Sequence, residues 1–175
     1  MPSAGEIPAD ASSMIYVAKA NAVELLHRVF PRVEVPPAVW REAVIRGEEK
    51  GAPEVIRIRQ AERRAWLRQT TLTPAQHRAS RSLAAASRLG EGESQVIAVT
   101  RPGRRCILDD KRAVRVARNR GIRPISTLLV PVIGWRRNLI NADEAVRLVR
   151  LLGVASGALA ETTLVLEEEI TGGPQ

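Results

Sequence analysis

Two adjacent aspartates, Asp109 and Asp110, stand between a short apolar run and a basic helical segment. The run Cys106-Ile107-Leu108 is typical of a buried strand, and residues 111–120 have the apolar period of a helix. Open α/β sheets bind their ligands at the carboxyl ends of strands. Carboxylates at such an end, followed directly by cationic side chains, indicate a site that holds a divalent metal ion against a polyanion.

Three further acids precede this pair along the chain. Asp10 ends the first predicted strand, and Glu42 and Glu93 lie on predicted helices. Carboxylates that meet at one edge of a parallel sheet do not all ionise easily unless a cation lies among them. Mg²⁺ and Mn²⁺ accept oxygen ligands, activate water and stabilise charge on phosphate oxygens. The joint placement of these acids therefore predicts a site for Mg²⁺ or Mn²⁺.

Each acid also has a purely structural interpretation when it is taken alone. Asp10 could cap the helix that follows it, and Asp109 or Asp110 could do the same for the basic helix. Glu42 could be an exposed helix residue, and Glu93 suits the first turn of a helix because of the helix dipole. The functional interpretation depends on their joint placement.

Strands alternate with helices along the whole chain. The predicted strands cover residues 6–10, 32–35, 65–71, 105–108 and 123–126. The predicted helices cover residues 14–20, 23–30, 37–46, 74–89, 93–100, 111–120, 127–135, 142–152 and 164–170, with residues 51–64 polar and helical at best. This alternation predicts an α/β protein with a mostly parallel, doubly wound central sheet in a three-layer α/β/α arrangement. We expect one domain over residues 1–175, with residues 171–175 as a disordered tail.

Positive charge is concentrated around the aspartate pair. The chain has 27 Lys and Arg against 19 Asp and Glu, a net charge of +8, and residues 101–123 contain nine Lys or Arg and only two acids. Clustered positive charge favours nucleic acid as a partner over an anionic membrane. An Arg-rich composition that merely fills the surface is the alternative. The residues predicted to bind backbone phosphates are Lys111, Arg112, Arg115, Arg118, Arg104 and Arg105.

Composition excludes several other classes of protein. Aromatic residues make up only 3% of the chain, which argues against a single-strand binder that stacks bases on several rings. The single Cys106 cannot form an internal disulfide, and His27 and His77 lack partners at zinc-ligand spacing. No apolar stretch reaches the length of a membrane span, and the first ten residues have no signal-peptide pattern. We therefore expect a cytoplasmic protein with no membrane partner.

Five segments of the sequence share their order and residue types with a known family. They are Asp10-Ala11-Ser12-Ser13-Met14-Ile15, Val35-Pro36-Pro37-Ala38-Val39-Trp40-Arg41-Glu42, Gly92-Glu93-Ser94-Gln95-Val96-Ile97-Ala98, Ile107-Leu108-Asp109-Asp110-Lys111-Arg112-Ala113 and Ile125-Ser126-Thr127-Leu128-Leu129. In this order they resemble a PIN domain, the nuclease fold of VapC-type toxins. The likeness is closest to a PIN-like subgroup of bacteria and archaea, and it runs from about residue 6 to residue 170.

The resemblance implies a metal-dependent ribonuclease that hydrolyses phosphodiester bonds with Mg²⁺ or Mn²⁺ as its cofactor. By that likeness the catalytic acids are Asp10, Glu42, Glu93 and Asp110, with Asp109 as the alternative fourth metal ligand. Ser12 or Thr127 would orient a ligand or the metal-bound waters. The resemblance also implies RNA rather than DNA as substrate, a toxin role with an antitoxin protein as partner, and a homodimer.

A PIN-fold protein that has lost catalysis is the alternative, and it would bind nucleic acid or another protein without cleaving. Two features favour it. Pro8 lies in the first strand, where proline removes a ladder hydrogen bond, and Gln95 stands where the family has a second glutamate.

Overall fold

Short parallel strands form the sheet that positions the acids. The computed structural model of the chain describes residues 6–172. The strands in this part of the chain are β1 (Glu6–Pro8), β2 (Arg32–Val35), β3 (Leu67–Gln69), β4 (Arg105–Ile107) and β5 (Arg123–Ile125). Strand β2 pairs in parallel with β1 and β3, and β4 pairs in parallel with β5. A bridge between Ala9 and Ile107 places β4 beside β1. The strand order is therefore β3-β2-β1-β4-β5, with the first strand at the centre.

Helices cover both faces of this sheet. In chain order the helical segments are α1 (Ala11–Lys19), α2 (Val23–Val29), α3 (Pro37–Trp40), a π-helical turn (Arg41–Ile45), α4 (Arg46–Glu49), α5 (Val55–Arg63), α6 (Pro74–Ser87), α7 (Glu91–Val99), α8 (Lys111–Asn119), α9 (Leu129–Arg136), α10 (Ala142–Ser156) and α11 (Ala160–Gly172). Helix α1 contacts α2, α5 and α10, whereas α7 contacts α3, α6 and α8. Right-handed crossovers in opposite directions, from β1 to β2 and from β4 to β5, place α1 and α8 on opposite faces. The predicted α/β class and parallel sheet are confirmed.

None of these helices within residues 6–172 combines the length and the apolar run that crossing a bilayer requires. The buried apolar side chains instead form one cluster that extends from Ile7 to Ile170. Cys106 is fully buried in it, and burial followed by the charge of Asp10 raises the pKa of its thiol to about 12. This side chain therefore packs as a small apolar residue and is too weakly acidic to be a nucleophile.

The start of helix α1 differs from the prediction. The helix begins at Ala11 rather than residue 14, and its cap is Asp10, in agreement with the structural interpretation given for that residue. Oδ1 of Asp10 accepts a hydrogen bond from the backbone N–H of Ser13 at 2.8 Å. The predicted helix start was wrong because strand β1 ends at Pro8, which leaves Asp10 free to take the extended backbone conformation of a cap.

Several other boundaries also differ. Residues 51–64, predicted as weakly helical, contain α5, because Val55, Ile58 and Ala61 bury one side of a helix. The helix predicted to end near residue 46 continues through the π-helical turn to Glu49. Residues 171 and 172, predicted as part of a disordered tail, belong to α11. The remainder of that predicted tail, residues 173–175, lies outside the described residues.

Pro8 does not displace the central strand. The N–H of Ala9 donates to the Glu34 carbonyl of β2, and the N–H of Asp10 donates to the Ile107 carbonyl of β4. Backbone groups of successive residues point to alternate sides of a strand, so the nitrogen of Pro8 faces β4. The missing donor therefore shortens the contact between β1 and β4 to a single bridge and leaves the β1–β2 ladder intact.

Candidate active site at the carboxyl edge of the sheet

Strands β1 and β4 flank the point where the order of the sheet reverses. From β1 the chain proceeds to β2 and β3 on one side, and it then returns to β4 and β5 on the other. Asp10 follows β1, and the pair Asp109-Asp110 follows β4. Such a switch point leaves a crevice at the carboxyl ends of the strands, where α/β proteins bind ligands. The fold thus brings together acids that are about 100 residues apart in sequence.

Asp10 is the most deeply buried of these acids, with 2% of its surface exposed. Burial is the main cause that raises the pKa of Asp10 to about 7, and the negative charges of Asp109 and Glu93 raise it further. Hydrogen bonds from Ser13 oppose this shift by stabilising the carboxylate. A carboxyl group in this position ionises fully at neutral pH only if positive charge is supplied nearby.

Asp109 is held by hydroxyl and backbone donors from two other segments. Its Oδ1 accepts from Ser126 Oγ at 2.7 Å and from the Thr127 N–H at 2.9 Å. Its Oδ2 accepts from Ser13 Oγ at 3.1 Å and from the Thr127 hydroxyl. Four hydrogen bonds occupy the lone pairs of a carboxylate. Asp109 therefore ties the end of β4 to the start of α1 and to the turn before α9.

Asp110 has a different environment, although it is the next residue. It is exposed, and its Oδ1 caps α8 by accepting from the Ala113 N–H at 2.8 Å. Within residues 6–172, no protein donor bonds to its Oδ2. This second oxygen is available to a ligand in solution or to a cation.

Glu93 lies in the first turn of α7 and is partly buried. Its Oε2 accepts from the Gly90 N–H at 2.9 Å, which stabilises the start of the helix. Burial raises the pKa of Glu93, and the charges of Asp110 and Glu42 raise it further, while Arg112 lowers it. Together with the effects on Asp10, these interactions link all five predicted acids electrostatically. We refer to Asp10, Glu42, Glu93, Asp109 and Asp110 as the acidic cluster.

Glu42 lies in the π-helical turn and is exposed. Its Oε2 is 3.8 Å from the position that a Cβ atom on Gly92 would occupy, and Cγ2 of Val39 is 3.3 Å from the same position. The glycine therefore allows the π-helical turn to approach the first turn of α7. Single π-helical turns are frequent at functional sites because they redirect side chains.

Gln95 fixes α3 against α7. Its Oε1 accepts from the Ala38 N–H at 2.9 Å, and its Nε2 donates to Glu91 at 3.2 Å. Arg41 pairs with the same Glu91 carboxylate at 3.0 Å. The amide at position 95 thus satisfies a backbone donor of α3 and positions the turn that carries Glu42. A glutamate at this position could accept the first hydrogen bond but could not donate the second.

Three acids of the cluster line an open cleft of about 480 Å³, together with Ser12, Ser126 and Lys111. These acids are Glu93, Asp109 and Asp110. Glu42 lines a different depression, and Asp10 is buried and is not among the residues that line the cleft. We call this space the acidic cleft. Ser12, predicted to orient a ligand, lies on its wall, whereas Thr127 is buried and bonds to Asp109.

The acidic cluster fits a divalent metal ion in its chemistry. Its donors are hard carboxylate oxygens, the ligands of Mg²⁺ and Mn²⁺, and their mutual repulsion calls for a cation. As the side chains stand, no three acidic, His or Cys side chains within residues 6–172 converge closely enough to hold one ion. Asp10, Glu93 and Asp110 each direct one oxygen to a backbone N–H at a helix start. A metal could use the other oxygen of each.

The predicted phosphate-binding residues separate into two groups. Lys111 lines the acidic cleft, and Arg112, Arg115 and Arg118 are exposed on the same helix α8. We call these four residues the basic face. Arg104 and Arg105 lie at the amino end of β4, the opposite edge of the sheet, and line other pockets. The structure therefore does not bring them together with the acidic cluster.

Ion pairs are unevenly distributed over the molecule. Residues 68–123 contain 13 Lys or Arg and only four acids. Apart from Arg104, no Lys or Arg of this segment forms an ion pair with an acid in the described part of the chain. The ion-paired arginines lie before and after it, as in the pairs Arg59–Glu48 and Arg150–Glu167. The basic face thus belongs to a region whose positive charge is open to an external anion.

Sequence reasoning missed three residues of the site. Ser13 and Ser126 bond to Asp109, and Tyr16 lines the acidic cleft. Ser13 and Ser126 are each adjacent to a residue that was predicted, so only their orientation was unknown. Tyr16 had a detectable signal, because it stands four residues after Ser12 and shares its helix face.

Comparison with known proteins agrees with this geometry. A family model described as a PIN domain matches residues 7–158. The chain therefore belongs to the PIN-domain family. PIN domains are generally nucleases, and PIN nucleases typically use divalent metals, so the fold is of the nuclease type. Comparisons with curated proteins and with solved structures gave no significant match.

Proposed function

We propose that this protein is an endoribonuclease that hydrolyses RNA phosphodiester bonds with Mg²⁺ or Mn²⁺. The observation that carries the proposal is the acidic cluster at the switch point between β1 and β4. Asp10 is buried there, and the pKa of its carboxyl is raised to about 7 by burial and by neighbouring negative charge. Burying carboxylates beside one another is costly, so a site that retains them needs a cation.

Asp10, Glu93 and Asp110 are the residues that would hold the cation. The ion would supply an activated water and would stabilise charge on the phosphate oxygens. Asp110 has an oxygen without a protein donor in the described part of the chain, whereas the oxygens of Asp109 accept four hydrogen bonds. We therefore assign the metal-ligand role to Asp110 and a positioning role to Asp109. To Glu42, which is exposed and interacts electrostatically with Glu93, we assign the role of orienting the attacking water.

The basic face supports a polyanionic substrate. Lys111 stands at the acidic cleft directly after Asp110, and the other three residues continue along one exposed side of α8. Binding would release counterions from the RNA backbone, so affinity should fall steeply with salt concentration. A single strand or a loop suits an open cleft better than a rigid duplex does.

The features that suggested a degenerate site have structural explanations that leave the acidic cluster in place. Pro8 shortens the β1–β4 contact, yet the N–H of Asp10 still bonds to Ile107. Gln95 bonds to α3 and to Glu91, and neither bond involves Glu93. These arrangements support an intact site over a binding module that has lost catalysis.

Cleavage of a structured RNA in the presence of Mn²⁺ tests the proposal. The comparison is between the wild type, Asp110→Asn and Glu42→Gln, with single-stranded DNA of the same sequence as a second substrate. We expect the wild type to cleave RNA and both variants to be inactive. If none of the three proteins cleaves while all bind RNA with the same salt-sensitive affinity, the protein is a nucleic-acid-binding module and the proposal is wrong.

We further propose that the protein acts as the toxin of a toxin–antitoxin pair and forms a homodimer, as the family resemblance suggests. The acidic cleft is open, so an antitoxin could inhibit the enzyme by inserting a cationic side chain among its carboxylates. Light scattering of the purified chain measures the oligomeric state. A monomer at micromolar concentration would contradict the homodimer.

A further inference from the structure

The acidic cleft is also lined by less polar residues that the metal chemistry does not use. They are Tyr16, Leu128, Ala158 and Leu159. We propose that these residues bind one nucleobase of the RNA, next to the scissile phosphate, by stacking it on the ring of Tyr16. The inference rests on the proposed function, because it names how the same site recognises its substrate.

Helix α1 explains why Tyr16 faces the cleft. Met14, Val17 and Ala18 are buried against the core, and Ser12 and Tyr16 stand four residues apart on the adjacent side. Tyr16 is the single tyrosine of the chain and, among the described residues, the only aromatic one that lines this cleft. It is partly exposed, so its ring is anchored by the helix and still offers surface to a ligand.

Ala158 and Leu159 belong to the corner between α10 and α11. Gly157 caps the end of α10 with a φ of 65°, which reverses the chain, and Leu159 follows with 66% of its surface exposed. Gly153 lets α11 pack closely, because Thr163 Cγ2 lies 2.5 Å from the position of an added Cβ. Arg150 and Glu167 also join the two helices through two hydrogen bonds, at 2.9 and 2.6 Å. The exposed leucine is thus carried on a rigid corner.

A nucleobase fits this arrangement better than another class of ligand. Glu93, Asp109, Asp110 and Lys111 line the same cleft, and under the proposed function they and a bound cation would hold a phosphate group there. A nucleotide joins a charged phosphate to an uncharged ring, and the cleft offers both environments at about 480 Å³, within the range of small-ligand sites. One ring suffices for one base, so the low aromatic content of the chain is no obstacle. The family match ends at residue 158, so Leu159 lies just outside the matched region.

Fluorescence of a base analogue tests the stacking directly and requires no cleavage. The probe is a short single-stranded RNA that contains one 2-aminopurine, whose emission falls when it stacks. The protein is the full chain with Glu93→Gln, which prevents turnover. We expect quenching both in this protein with Tyr16 retained and in the same protein with Tyr16→Phe, which keeps the aromatic ring. With Tyr16→Leu, which retains apolar packing, quenching should disappear and affinity should fall about tenfold.

Two controls separate this inference from a structural effect and from the proposed function. Gly153→Ala should push the α10–α11 corner outward and reduce quenching, while Ile15→Val on the same helix as Tyr16 should leave the quenching unchanged.

The base site would be overturned by equal quenching and affinity in the proteins with Tyr16 and with Tyr16→Leu, or by no RNA binding at all. If the wild type cleaves RNA but Tyr16→Leu cleaves it with unchanged KM, only the base site is wrong. If stacking occurs but the wild type never cleaves, only the nuclease proposal is wrong.

Discussion

The acidic cluster and the basic face adjoin each other at the start of α8, yet they are built in opposite ways. Asp10 and Glu93 are buried or partly buried, each accepts hydrogen bonds, and the pKa of each carboxyl is raised. The basic face is exposed, and its side chains form no ion pair in the described part of the chain. The fold holds Asp10, Glu93 and Asp109 in fixed positions, whereas the basic face is a patch of exposed charge, so under the proposed function the first would serve chemistry and the second binding. Mutations of the acidic cluster and mutations of the basic face should therefore have separate effects, the first on cleavage and the second on RNA binding.

The largest expected effect is the loss of cleavage activity in the Glu93→Gln variant. Glutamine can still accept from the Gly90 N–H, so the start of α7 is retained while the negative charge is lost. We expect the cleavage rate at saturating protein to fall on the order of 1000-fold, with RNA affinity unchanged. Glu49→Gln, at an exposed glutamate of α4 whose side chain has no hydrogen bond or ion pair in the described part of the chain, is the matched control and should change the rate only slightly. Equal losses in both variants would show that the effect is structural.

The next largest effect distinguishes the two adjacent aspartates. Asp109→Ala removes the four hydrogen bonds that join the end of β4 to the start of α1 and to the turn before α9. The free energy of unfolding should therefore fall by about 4 kcal/mol. Asp110→Ala removes one helix cap and should cost about 1 kcal/mol. Urea denaturation monitored by circular dichroism measures both. Similar losses for the two variants would contradict the different roles assigned to them.

The pH dependence of stability tests the burial of Asp10. Its pKa is raised from an ordinary value near 4 to about 7, so the folded state binds the proton more tightly than the unfolded state does. The stabilisation is therefore complete below pH 4 and is lost as the pH rises through 7. With a chelator present, we expect wild-type stability to decrease by up to about 3 kcal/mol relative to Asp10→Asn between pH 4 and pH 8. Parallel curves for the two proteins would show that Asp10 is ordinarily solvated.

The smallest effect is on RNA affinity. Replacing Lys111, Arg112 and Arg115 with glutamine should weaken binding about tenfold at physiological salt and reduce the salt slope by about two. Lys50, Arg63 and Arg147, replaced in the same way, form a control of equal charge outside residues 68–123. The dissociation constant is measured by fluorescence anisotropy at several salt concentrations. If the control triple weakens binding equally, net charge rather than the basic face is responsible.

Much of the site could be predicted because its elements have strong local patterns. Asp109 and Asp110 follow an apolar strand and precede an amphipathic helix, and both features are visible in a window of about fifteen residues. The position of Asp10 at the end of the first strand followed from the same logic. Neighbouring parallel strands then bring these acids to one edge, whatever their separation along the chain.

What could not be predicted depends on contacts between distant segments. Nothing local distinguishes Asp109 from Asp110, since the difference arises from hydroxyl groups 17 and 96 residues away. That Pro8 leaves the β1–β2 ladder intact could not be predicted, because it depends on which neighbouring strand the nitrogen of Pro8 faces. Gln95 was interpreted as a lost acid, because its bond to the start of α3 spans 57 residues.

Binding of a divalent cation by the acidic cluster is the property on which the proposed mechanism depends most. The melting temperature of the wild type and of Asp10→Asn is measured at pH 7.5 as Mn²⁺ is titrated, with the chelated protein as reference. An ion that binds only the folded state adds about 3 kcal/mol at a hundred times its dissociation constant. We predict a saturable rise in the wild type that is absent or greatly weakened in Asp10→Asn. No rise, or an equal rise in both proteins, would contradict the metal site and the nuclease mechanism that depends on it.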